Sequence, residues 1–412
     1  MSKVVEVYTL DPTADPVCKF YNLHPYPPPV ENLDRARDEW RDENRQHAEY
    51  HLLWPHKPYR DDLEILVAGC GTWQAARYAL CRPGSRVVGI DVSTTSLDHT
   101  AQLKKKYSLT NLETENLSIE NVAALDQEFD LIVCTGVLHH LVAPDAGARA
   151  LRSVLKPEGA MYLMVYAPYG RAGVYMLQEY CRRLGIDTSG RELSDLTSVI
   201  EALPHHHPLA TVLRASRDSL DPDALADALL NPRDRSYSVP QLFDFFDRSG
   251  LQLSRWYWQA PYFPQCGAIS STPHASRLAG LPEPEQFAAM ELWRGTMTCH
   301  SAVAYGSGEK KSNVRFDDGR WLSYVPIRLP WTMCVEERLP PGAAGVLLNQ
   351  SHPFHDLILV IDAGEKRVFE LIDGHRSTGE ILNKARVVEA RGREFFQQLW
   401  RYDQVVFDAS RV

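Results

Sequence analysis

No apolar run in this 412-residue sequence reaches the roughly 18 residues that cross a bilayer. Its first residues, MSKVVEVYTLDP, lack the basic segment and apolar stretch of a secretory signal. The expectation is a cytoplasmic protein with no membrane partner. The eight cysteines include no CxxC pair. Cys70, Cys81, Cys134 and Cys181 sit in apolar or helical segments, which argues against a disulfide frame or a zinc site and predicts reduced thiols with no bound metal. Basic charge is short too: 44 Lys and Arg stand against 53 Asp and Glu, a net charge of −9. Such a chain has no positive field for nucleic-acid phosphates, so DNA and bulk RNA are not expected partners. There is no internal repeat and no low-complexity tract.

What is present is a chain long enough for two to three units, with 44% hydrophobic residues to fill a core. Residues 1–60 read as an arm. FYNLHPYPPPV (Phe20–Val30) carries four prolines that force an extended, turn-rich path, and Leu33–Leu53 reads as one charged helix. From Leu63 onward strands alternate with helices. ILVAGC, RVVGID (Arg86–Asp91), NLETENL, FDLIVCTG (Phe129–Gly136) and GAMYLMVY (Gly159–Tyr166) read as strands. Thr72–Leu80, a segment from Ser93 or Thr94 to Tyr107, and Asp145–Leu155 read as helices. This alternation predicts an α/β fold with a mostly parallel sheet covered on both faces.

Residues from about 171 to 235 interrupt the rhythm with short helices, YMLQEYCRRLG and DPDALADALL being the clearest. It resumes with SVPQLFDFFDRSG, a helix capped by Ser238 and ended by Gly250, followed by strands at LQLSRWYW and TCHSAVAYGS. Residues 61–310 therefore read as one domain with a helical insertion, and 311–412 as a small second module. In that module LILVID, a turn at AGEK, and VFELID predict a hairpin. Ser377 and Glu380 fit a capping box, a second helix covers about Glu389–Tyr402, and QVVFD closes a winged-helix-like α+β pattern.

Ligands of open parallel sheets sit at the carboxyl ends of the strands. Three such ends carry chemistry here: Gly69-Cys70-Gly71, Asp91 (22 residues after Gly69), and Cys134 to His140. Glycines let the backbone approach a ligand closely, and Asp91 can accept both hydroxyl hydrogens of a ribose. Gln74 stands where a dinucleotide turn has its third glycine. Trp73 and Gln74 would crowd a pyrophosphate at the helix start, and no GK[ST] follows. The turn predicts a nucleoside that carries no phosphate.

With these features the chain resembles the class I S-adenosylmethionine-dependent methyltransferases. The matching stretches are ILVAGCGT, VVGIDVS, FDLIVCTGVLHHL and LKPEGAMYLMVY, in that order; the likeness covers residues 60–170 well and 235–306 loosely. It implies a Rossmann-like seven-stranded sheet whose last strand runs antiparallel, and S-adenosyl-L-methionine as cofactor. It also implies that Gly69, Cys70 and Gly71 face the methionine part, that Asp91 holds the ribose, that Val92 belongs to the cofactor site, that Leu117, Ser118 and Ile119 flank the adenine, and that Cys134, Thr135 and Gly136 line the floor beneath the sulfonium. Two positions depart from the pattern. Val67 replaces an acid that reaches the cofactor's amino group, and Trp73 replaces a glycine. The methionine end is then expected to be held partly by other groups, Tyr21 and Tyr26 of the arm being candidates; packing of the arm is the alternative role for them.

The resemblance does not name the acceptor. His139 and His140, in GVLHHL, are the candidate catalytic residues, since a histidine can take the proton of a hydroxyl nucleophile; a backbone anchor for the loop is the alternative. Tyr26, and Tyr169 with Arg171 in YAPYGRAG, are candidate substrate-binding residues. His205 to His207 in PHHHP read as a solvated loop, and Cys266 as buried. VFELIDGHRSTGEIL resembles small PqqD-like winged-helix modules that hold peptides; packing or homodimerisation is the competing role of the tail. The leading expectation is methyl transfer to a small molecule. Methylation of a peptide or protein recruited through the tail is the alternative, and a non-catalytic cofactor-binding scaffold a third.

Overall fold

The computed structural model describes residues 15–210, 221–308 and 314–411. The first fourteen residues, residues 211–220 of the expected insertion, and the expected boundary at 310/311 lie outside the described residues. Seven strands form the main sheet: β1 (Glu64–Ala68), β2 (Arg86–Asp91), β3 (Leu112–Asn116), β4 (Phe129–Thr135), β5 (Leu155–Tyr166), β6 (Leu251–Trp256) and β7 (Cys299–Gly306). Their order is β3-β2-β1-β4-β5-β7-β6. β1 pairs in parallel with β2 and β4, and β5 with β4, whereas β7 runs antiparallel to β5. Ile65, Leu66, Val67 and Ala68 are fully buried, which is why ILVA reads as a continuous apolar run rather than an alternating one. The sheet order reverses between β1 and β4, so the carboxyl ends of these two strands open the crevice where ligands of such sheets sit.

The chain divides into two compact units. One comprises the residues up to Arg37, Asp61–Leu253 and Gly295–Ser307; the other comprises Asp38–Arg60, Ser254–Arg294 and the chain from Gly308 on. This division differs from the expected boundaries. The expected arm is split, because the helix Glu43–Leu53 packs on β8 (Val325–Arg328) and β12 (Val405–Asp408) of the second unit, and Ala409 N–H donates to Pro55 O at 2.7 Å. The single helix expected over Leu33–Leu53 is two, Asp34–Trp40 and Glu43–Leu53. The Asp42 carboxylate accepts the Asn44 N–H at 3.0 Å and starts the second helix.

The insertion of the first unit holds helices Ala172–Leu184, Gly190–Glu201 and Pro222–Leu230. They share a small core of their own that includes Val174, Leu177, Leu196, Ile200, Leu225 and Leu229. The middle helix went unread in the sequence, although Ser189 caps it and Leu193, Leu196 and Ile200 are spaced to bury one face.

The second unit contains a three-stranded antiparallel sheet of β9 (Thr332–Val335), β10 (Gly345–Asn349) and β11 (Ile358–Ile361), and the pair β8–β12. The hairpin expected from LILVID and VFELID is absent. AGEKRVFE is a helix, Ala363–Glu370, and β11 pairs with β10 instead. A capping box decides this: the Asp362 carboxylate accepts the N–H of Gly364 at 2.7 Å and of Glu365 at 3.0 Å, while the Glu365 carboxylate accepts the Asp362 N–H at 3.0 Å. The first turn is thereby satisfied, and Val368 and Phe369 are carried into the core of the unit. Asp362→Ala is expected to lower stability by about 1 kcal/mol. Urea unfolding followed by tryptophan fluorescence checks this, and an unshifted midpoint would mean that the cap makes no net contribution.

Candidate active site

β1 ends in a turn that only glycine fits. Gly69 and Gly71 lie in the left-handed region, at φ of 68° and 55°. A Cβ on Gly69 would sit 2.4 Å from a Val137 methyl, and one on Gly71 would sit 2.9 Å from Pro27 Cδ and 3.0 Å from Tyr26 O. The turn is held from the next strand. Gly69 and Cys70 N–H both donate to Ile90 O, at 2.8 and 2.9 Å. The two oxygens of Asp91 each accept one backbone N–H, from Gly71 and from Ser93, both at 2.8 Å. Burial raises the pKa of Asp91, and these two N–H groups act in the opposite direction.

Around this turn lies a cavity of about 370 Å³, within the range of small-molecule sites. Of the expected cofactor residues, Gly69, Cys70, Asp91, Val92, Leu117, Ile119, Thr135 and Gly136 line it. Ser118 lines a smaller cavity of about 130 Å³ that shares Val17, Val92, Glu120, His140 and Leu141 with the first. Gly71 and Cys134 lie behind the wall, where Gly71 donates to Asp91 and Cys134 is fully buried with a thiol pushed up to about 12 by burial. Among the described residues no Lys or Arg lines the larger cavity, so these offer no cation to a phosphate. The donor set fits a nucleoside cofactor with an acid for its ribose.

Trp73 and Gln74 also line the cavity, and the Gln74 amide donates to Thr135 Oγ1 at 2.9 Å. Val67 is buried in the sheet. The arm meets the turn: Thr72 Oγ1 donates to Pro27 O at 2.7 Å, and Tyr21, Tyr26 and Pro27 form part of the wall.

Met164, Tyr166 and His140 also line the cavity. His140 Nδ1 lies 2.6 Å from Arg233 O. A carbonyl only accepts, so Nδ1 carries the hydrogen and the lone pair of the neutral ring is on Nε2. Nε2 is buried and has no hydrogen-bond partner among the described residues.

The other expected residues lie elsewhere. His139 is fully buried with its ring 4.1 Å from that of Tyr166, and it does not line the cavity. Burial depresses its pKa well below 6.5, and His140, Arg171 and Arg235 add to this. Arg171 is buried with its guanidinium 3.5 Å from the Tyr166 ring centroid and 3.3 Å from Asp234, so it supports the wall rather than meeting a ligand. Tyr169 is exposed and outside the cavity. His205 and His206 are exposed, and Cys266 is buried. Ligand-type atoms of His139, His140 and Asp234 lie within 4.8 Å of one another. Arg171 already pairs with that aspartate at 3.3 Å.

Tyr166, Asp227 and Asn231 escaped the sequence reading. Tyr166 could have been found as the last residue of β5, at a carboxyl end of the sheet. Asp227 and Asn231 reach the site only through the folding of the insertion.

Comparison with known proteins agrees with this geometry. Residues 66–161 match the family model described as a methyltransferase domain. An uncharacterized protein of Synechococcus is 29% identical over 330 residues, 77% of this chain and 78% of that protein. The ubiquinone biosynthesis O-methyltransferase of Neisseria meningitidis is 28% identical over 142 residues, 32% of this chain; the match spans only 59% of that enzyme. Among solved structures, PKMT2 from Rickettsia typhi superposes with a TM-score of 0.60 at 18% identity, over 92% of this chain and 75% of that one. The same protein in complex with AdoHcy gives 0.58 at 16% identity, over 88% and 73% of the two chains. The fold is that of the Rossmann-like methyltransferases, and the chain is an S-adenosylmethionine-dependent methyltransferase. No helix among the described residues is long and apolar enough to cross a membrane.

Proposed function

We propose that the chain methylates a hydroxyl oxygen of a small molecule, with His140 as general base. The observation that carries this is the fixed tautomer of His140: Nδ1–H is spent on Arg233 O, and Nε2 keeps its lone pair without a protein partner. A hydroxyl is a weak methyl acceptor until its proton has somewhere to go, and a positioned imidazole supplies that place. Asp91 would hold the cofactor's ribose, and Leu117 and Ile119 would flank its adenine. Bound there, S-adenosylmethionine supplies an electrophilic methyl group. The protein's part is to exclude water, orient the hydroxyl against Met164 and Tyr166, and receive its proton on His140 Nε2. The name of the Neisseria relative, an O-methyltransferase, supports the same acceptor atom.

A second reading is methylation of a peptide recruited by the C-terminal unit, as a winged-helix-like module would do. One observation favours it: Met333, Ile358 and Val360 leave apolar side chains of the three-stranded sheet exposed. A homodimer contact is the other use of such a face. Both readings are tested by offering the full chain methyl-tritiated S-adenosylmethionine together with a cell extract. Label should enter the low-molecular-weight fraction as an ether. Label confined to acid-precipitable protein would sink the first reading in favour of the second, and cofactor binding with no labelled product would favour a scaffold.

A further inference from the structure

Two phenols in the cavity wall have their hydroxyl hydrogens turned away from it. Tyr21 Oη donates to Asp227 Oδ1 at 2.7 Å and accepts from the Asn231 amide at 3.0 Å. A hydroxyl has one hydrogen and two lone pairs, so the Asn231 N–H leaves the Tyr21 hydrogen directed at the carboxylate. Tyr166 Oη, 3.5 Å from Asp227 Oδ2, is drawn to the same group. Asp227 itself is buried on the helix Pro222–Leu230, where its two oxygens accept from Tyr21, Tyr166 and Asn231. Tyr21 and Tyr166 line the cavity as His140 does, their rings 6.1 and 6.0 Å from its imidazole.

We propose that Asp227 sets the hydrogen-bond polarity of the acceptor site. By holding the hydrogens of Tyr21 and Tyr166, it leaves for the substrate the lone pairs of Tyr166 and the one lone pair of Tyr21 that Asn231 does not take. The site then takes a molecule that presents hydrogen-bond donors beside the methylated atom and rejects one that presents carbonyl oxygens there. On this reading the phenol oxygens of Tyr21 and Tyr166 meet the substrate as acceptors. A carbonyl placed against them would lose its hydrogen bonds to water and gain none, the arrangement by which buried polar sites discriminate best. Burial, reinforced by the charge of Asp227, raises the pKa of both phenols, which favours their protonated forms. Asp227 is a positioning residue; it acts through the tyrosines.

This inference rests on the reading of a hydroxyl acceptor, and its test is separate from turnover. Phenol, resorcinol and acetophenone, all neutral, are titrated by saturation-transfer NMR into the full chain loaded with S-adenosylhomocysteine. Phenol and resorcinol should bind at least about tenfold more tightly than acetophenone. Asp227→Asn, whose amide can donate and so release the tyrosine hydrogens, should narrow that ratio to about threefold or less with S-adenosylhomocysteine affinity unchanged. Tyr21→Phe should narrow it too, and serves where Asp227→Asn does not fold. Acetophenone binding as tightly as phenol, or a ratio unmoved in the folded variants, overturns the proposal. Because no methyl is transferred, failure of His140 as a base would leave this ranking intact, and the two failures are told apart.

Discussion

His140→Ala is expected to lower kcat by about 10²–10⁴-fold, the range that a positioned general base contributes, while S-adenosylhomocysteine affinity stays within about threefold. The argument is geometric. Arg233 O fixes Nδ1 as the donor, so the ring can neither flip nor change tautomer without giving up a 2.6 Å hydrogen bond. Arg233 is itself held: its guanidinium donates to His140 O at 3.1 Å and pairs with Asp15 at 3.3 Å. The base is thus anchored through both its ring and its backbone. His140→Asn separates anchoring from basicity, since its amide can still donate toward Arg233 O but cannot take a proton; it should be as slow as the alanine variant. Added imidazole should restore part of the rate in His140→Ala but not in the wild type. Wild-type kcat in His140→Ala across the pH range would remove the base from the mechanism.

The part of this site that was legible in the sequence is the part built from contiguous stretches. ILVAGCG, RVVGID and FDLIVCTG each run strand to turn, and each delivers its ligand-facing residues at a carboxyl end fixed by local pattern. Gly69, Asp91, Thr135 and Gly136 accordingly stand at the cavity. The substrate end is assembled from distant chain: Tyr21 from the arm, Tyr166 from β5, Asp227 from the insertion. No spacing rule joins positions 206 residues apart. Arg171 shows the converse. As a lone arginine in a Pro-Gly loop it reads as an anion binder, but burial against Tyr166 and pairing with Asp234 give it a supporting role. VFELID misled for a different reason. Its alternating apolar residues suit a strand, but the Asp362–Glu365 capping box starts a helix that takes in Val368 and Phe369 and ends at Glu370.

Asp91→Ala should weaken S-adenosylmethionine binding by about 10²–10⁴-fold. Two hydrogen bonds to a charged acceptor are lost, each worth about 1.5–3 kcal/mol, and about 1.4 kcal/mol is a factor of ten. The loss also reaches the turn, because Gly71 and Ser93 N–H lose their acceptor. The pH dependence has a definite sign. Burial raises the folded pKa of Asp91 above 3.8, so its contribution to the stability of the apo chain is full below pH 3.8 and is lost as pH rises through the folded value. Cofactor binding runs the other way, because ribose hydroxyls donate to the carboxylate and favour its charged form. Affinity for S-adenosylhomocysteine should therefore be greatest above the folded pKa and decline as pH falls through it, beginning at a higher pH than an ordinary exposed aspartate would give. Calorimetric titrations on the acid side of neutrality should show this decline in the wild type and a flat, weak response in Asp91→Ala. Unchanged affinity in the variant would move the ribose to another residue and with it the orientation assigned to the cofactor.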